Sequence, residues 1–137
     1  QDVGLVEIVL QSHLEILSQA LHDAPMILAE LEERAAKGAS ELRVGKTREG
    51  MESLLDLADG MEWLSTVLDH LGKTGHGLSE SGAEAQRQKL ITHIKQQLQT
   101  IQNAQEQQDW VGVADILEYE LPDIFKESAS LVRNLKI

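Results

Sequence analysis

The feature that most constrains this chain is a spacing. Apolar residues fall at Val3, Val6, Leu10, Leu14, Leu17, Leu21, Ala24, Leu28, Leu31 and Ala35, in unbroken steps of three and four. Such steps line up along one stripe of a helix; a strand, whose side chains alternate every second residue, cannot present them on one face. The pattern returns at Gly50, Leu54, Leu57, Met61, Leu64, Leu68 and Leu71. It thins at Leu90, Ile94, Leu98, Ile101 and Ala104, where many Gln flank it. It recovers at Trp110, Ala114, Leu117, Leu121, Ile124, Ser128, Leu131 and Leu135. Each stripe needs cover, and short connections favour antiparallel neighbours. The spacing therefore predicts an all-α chain, an up-down-up-down four-helix bundle forming one domain over 1–137. The expected helices are about 3–37, 47–71, 82–108 and 110–135, packed with the left-handed twist that a period near 3.5 favours.

Punctuation refines this outline. Pro25 and Pro122 interrupt the first and fourth stripes without shifting their phase, which predicts kinks or breaks there. Gly38 reads as the cap of the first helix and Gly72 as the end of the second. Residues 72–82, G-K-T-G-H-G-L-S-E-S-G, read as the most flexible stretch. Ser81 with Glu84 has the spacing of a capping box, and Asp109 reads as the N-cap of the last helix. The thin third stripe predicts the least buried helix and an apolar patch left over beside it.

Composition removes several classes of function. The chain has no Cys, which excludes disulfides and thiolate chemistry. A net charge of −11 opposes binding to nucleic acid or anionic lipid. The charge is unevenly spread. Residues 1–37 carry two basic and seven acidic side chains, whereas 80–108 carry three of each. Solvated faces of differing composition produce such a spread, and so does a neutral side that meets a partner. No window has the apolar length of a membrane span and no signal-peptide pattern is visible, so a cytoplasmic location is expected.

The motifs that suggest chemistry fail on spacing. Gly45-Lys46-Thr47 and Gly72-Lys73-Thr74 follow helices rather than strands, and six residues intervene between Gly38 and the first pair instead of four. A carboxylate-bridged metal site in a helical bundle needs Glu-x-x-His. The residues three before the five His are Leu10, Gln19, Val67, Lys73 and Leu90, none of them acidic. A mononuclear site built from His13, Glu118 or Glu120 is the remaining metal candidate. His13 lies roughly 50° from the centre of its stripe, where a His more often completes the core margin than ligates. No Ser, His and Asp arrangement suggests a nucleophile. No catalytic residue and no cofactor is assigned.

The most distinctive stretch is D-W-V-G-V-A-D-I-L-E-Y-E-L-P-D-I-F, residues 109–125, with the only Tyr and the only Phe. On a helical wheel Trp110, Ala114, Leu117 and Leu121 point inward, and Glu118 and Glu120 fall on opposite margins roughly 70–90° away. Asp115, Tyr119 and Asp123 share the far face. A Tyr among charged groups is a frequent interface element, so Asp115, Ile116, Tyr119 and Asp123 are the candidate partner-binding residues. Solvated acids around a surface Tyr are the plainer account.

The run Asp109-Trp110-Val111 followed by Ala114-Asp115-Ile116-Leu117-Glu118-Tyr119-Glu120-Leu121-Pro122 resembles a motif of an uncharacterised family of small acidic helical proteins from bacilli and clostridia. Asp59-Gly60-Met61-Glu62-Trp63-Leu64 is similar to a second segment of that family. The resemblance implies a bacterial source and carries over no catalytic residue. The helical outline is also similar to flagellar export chaperones, by shape alone. The expectation is a non-enzymatic adaptor or chaperone-like module that binds a protein partner or its own copy as a homodimer. A small-molecule or mononuclear metal-binding bundle, possibly enzymatic, is the alternative.

Overall fold

The computed structural model describes residues 2–74 and 82–134, with side chains from Glu15 onward except Ile16, Lys73 and Thr74. The described chain is all-helical: α1 (Asp2–Arg43), α2 (Thr47–Thr74), α3 (Ala83–Glu106), and a fourth rod made of α4 (Trp110–Asp115), a π turn (Ile116–Glu120) and α5 (Leu121–Asn134). Helix α1 packs on α2 and on the fourth rod, α2 packs on α3, and α3 packs on α4 and α5. The apolar stripes supply the shared core. Leu57, Met61, Leu68 and Leu71 of α2 are fully buried, as are Ile94 of α3 and Leu117, Leu121 and Ile124 of the fourth rod. No helix among the described residues is long and apolar enough to cross a membrane.

Both glycines read as helix ends lie inside helices. Helix α1 passes through Gly38 and buries Ala39 and Leu42, which extend its stripe beyond Ala35 by about two turns. Gly38 serves a close approach instead. A Cβ there would stand 3.2 Å from Leu117 Cδ1 and 3.2 Å from Ser53 Cβ. Helix α1 ends at Arg43 and is closed by Gly45, at φ +85°, where Lys46 N–H donates to the Glu41 carbonyl at 2.8 Å and Gly45 N–H to the Leu42 carbonyl at 3.3 Å. This is the paired-bond helix ending that a left-handed residue permits. The first connection is therefore far shorter than the expected 38–46 loop.

Helix α2 likewise runs through Gly72 to Thr74. The expected flexible stretch 72–82 lies mostly outside the described residues, and so does Ser81 of the expected capping box. Glu84 gives its carboxylate to Arg87 and Gln88. Helix α3 ends at Glu106 because Gln108 adopts φ +56°. It repeats the ending of α1, with Asp109 N–H on the Ala104 carbonyl at 2.8 Å and Gln108 N–H on that of Gln105 at 3.0 Å. Asp109 then caps α4 by accepting from Gly112 N–H at 3.0 Å.

The two prolines meet different local structure. Pro25 lies inside the single helix α1, where it withholds the donor the Leu21 carbonyl would receive. Pro122 follows the π turn, in which Leu121 N–H reaches back to the Ile116 carbonyl, five residues earlier. A widened turn immediately ahead of a residue with no N–H accommodates the proline ring without ending the rod.

Candidate functional site

Two surfaces emerge from this packing. The first is a groove between α2 and α3 of about 250 Å³, floored by Leu54, Leu57 and Met61 from one helix and Leu98 and Ile101 from the other. It exists because α3 is sparsely apolar. Its only buried aliphatic residues are Leu90, Ile94 and Ile101, Leu98 is only partly covered, and Gln102 and Gln105 occupy places where a bulky apolar side chain would have closed the space. One rim is apolar and acidic. Leu55 is 64% exposed, Glu62 lines the groove, and Glu52 and Asp59 lie on the same helical face at spacings of three and four. Asp59 and Glu62 form no ion pair among the described residues.

Above the groove the two helices are tied together. Arg87, nearly buried, holds Glu84 through Nε at 2.8 Å and Nη2 at 2.6 Å, while its Nη1 donates to the Leu68 carbonyl at 3.1 Å. The guanidinium lies against Gly72, where a Cβ would be 2.5 Å from Arg87 Cζ. The fork-shaped ion pair, helped by Gln88, pushes the Glu84 carboxyl down to about 2. Charge counting alone missed this clamp, because Arg87 enters the tally only as one of three cations in a neutral segment.

The second surface carries the residues singled out from the sequence. Arg43, at the end of α1, donates from Nη2 to Asp115 at 2.8 Å and to Glu118 at 2.7 Å. These two bonds, with Asp115 the larger influence, raise the guanidinium above its ordinary value. Tyr119 is 64% exposed, and the neighbouring Glu118 carboxylate raises its phenol above the ordinary range while Arg43 opposes the shift. Asp123 and Glu120 are exposed.

Ile116 requires a correction. It is only 8% exposed and belongs to the core, because the buried face of the rod is wider than the expected stripe and takes in Val113 and Ile116 beside Ala114 and Leu117. A wheel centred on Trp110, Ala114, Leu117 and Leu121 places Ile116 beside the outer face; the observed core side is centred nearer Val113, which is also buried. The structure thus brings Asp115, Glu118 and Tyr119 together around Arg43, with Ile116 beneath them. Among the metal candidates, Glu118 is engaged by Arg43, Glu120 points to solvent, and the His13 side chain lies outside the described residues. Among the described residues no group of three or more His, Cys, Asp or Glu is placed to hold a metal ion.

A family model described as "Domain of unknown function (DUF8042)" matches residues 11–130. No curated protein matches the chain. No solved structure matches it either.

Proposed function

The chain belongs to that DUF8042 family, and we propose that it is a non-enzymatic up-down-up-down bundle, kinked at Pro25 and Pro122, that binds one amphipathic helix of a protein partner. The observation that carries this reading is the α2–α3 groove, an apolar trough left open beside the helix with the thinnest stripe. Its α3 wall runs from Leu98 to Gln105, about two helical turns, or roughly 10–12 Å. That length suits a partner helix offering anchors at i, i+3 or i+4, and i+7.

The rim identifies the partner's charge. Asp59 and Glu62 lie on the face of exposed Leu55 on α2, where Glu52 is paired with Arg48; the polar residues of α3 that line the groove are the neutral Gln102 and Gln105, and the whole chain carries −11. A helix with Lys or Arg beside its apolar stripe is complementary to that rim; nucleic acid is not. The motif resemblance supports a bacterial setting. Asp115, Tyr119 and Asp123, with Arg43 held between Asp115 and Glu118, are a second, smaller candidate contact surface, in which Tyr119 and Arg43 are of the residue types enriched at interface hot spots.

Two dye-labelled model helices with identical Leu positions, one filled out with Lys and one with Glu, test the reading by fluorescence anisotropy. The Lys helix is expected to bind at least about tenfold more tightly, with affinity falling as salt rises. Ala58→Trp, which fills the groove, should abolish that binding while circular dichroism stays unchanged. Equal affinity for the two helices, or undiminished binding by the filled groove, defeats the reading. Light scattering behind size-exclusion chromatography tests the competing occupant, since a stable dimer whose mass reverts to monomer on Ala58→Trp would mean that a second copy fills the groove.

A further inference from the structure

The seam between α1 and the fourth rod changes character along its length. Near Arg43 it is closely joined. Leu117 seats against Gly38, where a Cβ would stand 3.2 Å from the leucine Cδ1, and Arg43 holds Asp115 at 2.8 Å and Glu118 at 2.7 Å. Beyond the π turn such joints are missing. A hollow of about 180 Å³ separates parts of α1 and α5, with Pro25, Leu28 and Glu32 on one wall and Phe125 and Ala129 on the other. Oε1 of Glu32 is shut off from solvent and accepts no hydrogen bond, and the Ser128 hydroxyl, fully buried on α5, has no partner either. No ion pair joins α1 to α5 among the described residues. The backbone is irregular at the boundary itself: Leu121 N–H reaches back five residues to Ile116, and Pro122 has no N–H to give the Glu118 carbonyl.

We propose that α5 is a hinged element: it undocks from α1 as one unit, pivoting at the π turn, while α4 stays seated. A polar atom shut in without a partner has given up its hydrogen bonds to water and gained none in exchange, and undocking restores them. Two such atoms, one on α1 and one on α5, lie below the hinge, whereas the segment above it is held by a close-packed leucine and a forked arginine. Burial of Ile124, Phe125 and Leu131 opposes the motion and keeps the docked form the major one. The undocked form presents those three side chains together with Leu28, an apolar face that the docked form hides. The device is thus a latch over a hidden surface, independent of the α2–α3 groove.

Native-state amide exchange, read residue by residue at a series of low urea concentrations, tests the hinge. Amides of residues 124–131 are expected to share one opening, with a common urea dependence and at least about tenfold less protection than those of residues 57–71 in α2. Val113 and Ala114, ahead of the π turn, should keep the protection of α2. Ser128→Ala and Glu32→Met, which remove the two unpartnered atoms, should each slow exchange in α5 by about fivefold or more. Thermal unfolding confirms that both variants remain folded. Protection that fades gradually toward Asn134 would mean end fraying, and exchange of α5 at the rate of α2 would mean that only global unfolding opens it; either result overturns the hinge. A single opening shared by α3, α4 and α5 overturns it equally, as does an unchanged or faster rate in either variant.

Discussion

Helix α2 meets its two neighbours in opposite ways. Toward α1 the surfaces interlock. Gly50 receives Leu42, whose Cδ2 would be 2.5 Å from a Cβ at that position, Gly60 receives Leu31, and Gly38 of α1 receives Ser53 of α2 and Leu117 of the fourth rod. Toward α3 the contact is tight only at one end, where Arg87 grips Glu84 and the Leu68 carbonyl, and then opens into the groove. Close-packed aliphatic surfaces leave no room for a guest, whereas a helix rich in Gln cannot fill the space between two apolar stripes. One side of α2 stabilises the fold and the other leaves apolar surface available.

The contrast can be broken most directly by equivalent truncations. Leu31→Ala, opposite Gly60, should cost about 2–5 kcal/mol in urea unfolding, while Leu98→Ala beside the groove should cost about 1 kcal/mol or less, because water already reaches that space. Equal costs would mean that the groove closes in solution. Arg87→Met should follow at about 1–3 kcal/mol, since it removes three hydrogen bonds and leaves the Leu68 carbonyl without this donor. A cost below 0.5 kcal/mol, the scatter of ordinary surface substitutions, would show that the clamp does not hold α3 to α2.

Smaller effects sharpen the comparison. The turn from α1 to α2 places Gly45 in the left-handed region, and the turn leaving α3 places Gln108 there. Gln108→Gly should therefore raise stability by about 1 kcal/mol or slightly less, whereas Gly45→Ala should lower it. The smallest effect is a pH dependence. The hydrogen-bonded ion pair with Arg87 lowers the folded-state value of Glu84 from its ordinary 4.5 to about 2. The associated stability is then present above the unfolded value and is lost as pH falls from about 4.5 towards 2. Glu84→Gln should remove that share of the acid sensitivity, read as the difference between wild-type and variant urea midpoints across this window. An unchanged pH profile would contradict the pairing.

How much of this could be read in advance varies with the range of the interaction. The all-α class and the positions of the four helical rods follow from apolar steps of three and four, a local periodic signal. The thin stripe at Leu90, Ile94, Leu98 and Ile101 already marked α3 as the weak wall beside which the groove lies. The distinctive stretch 109–125 was visible, yet the burial of Val113 and Ile116 was not, because how wide a face the neighbouring helices cover depends on packing rather than on spacing. Gly38 and Gly72 misled for a related reason. A glycine that ends a helix and a glycine that admits a neighbouring side chain look identical in one dimension.

By itself the sequence determined the helices, their apolar faces, the acidic charge and the lack of thiol chemistry, since each depends on residue type and near-neighbour spacing. Tertiary structure alone decided that Arg43 would reach Asp115 and Glu118, that Arg87 would rest on Gly72, and that Glu32 would face Lys126 and Arg133 across a pocket. Those meetings join residues 15 to 101 positions apart. They follow from how deeply each rod seats against the next, and seating depth depends on the facing side chains of both helices at once.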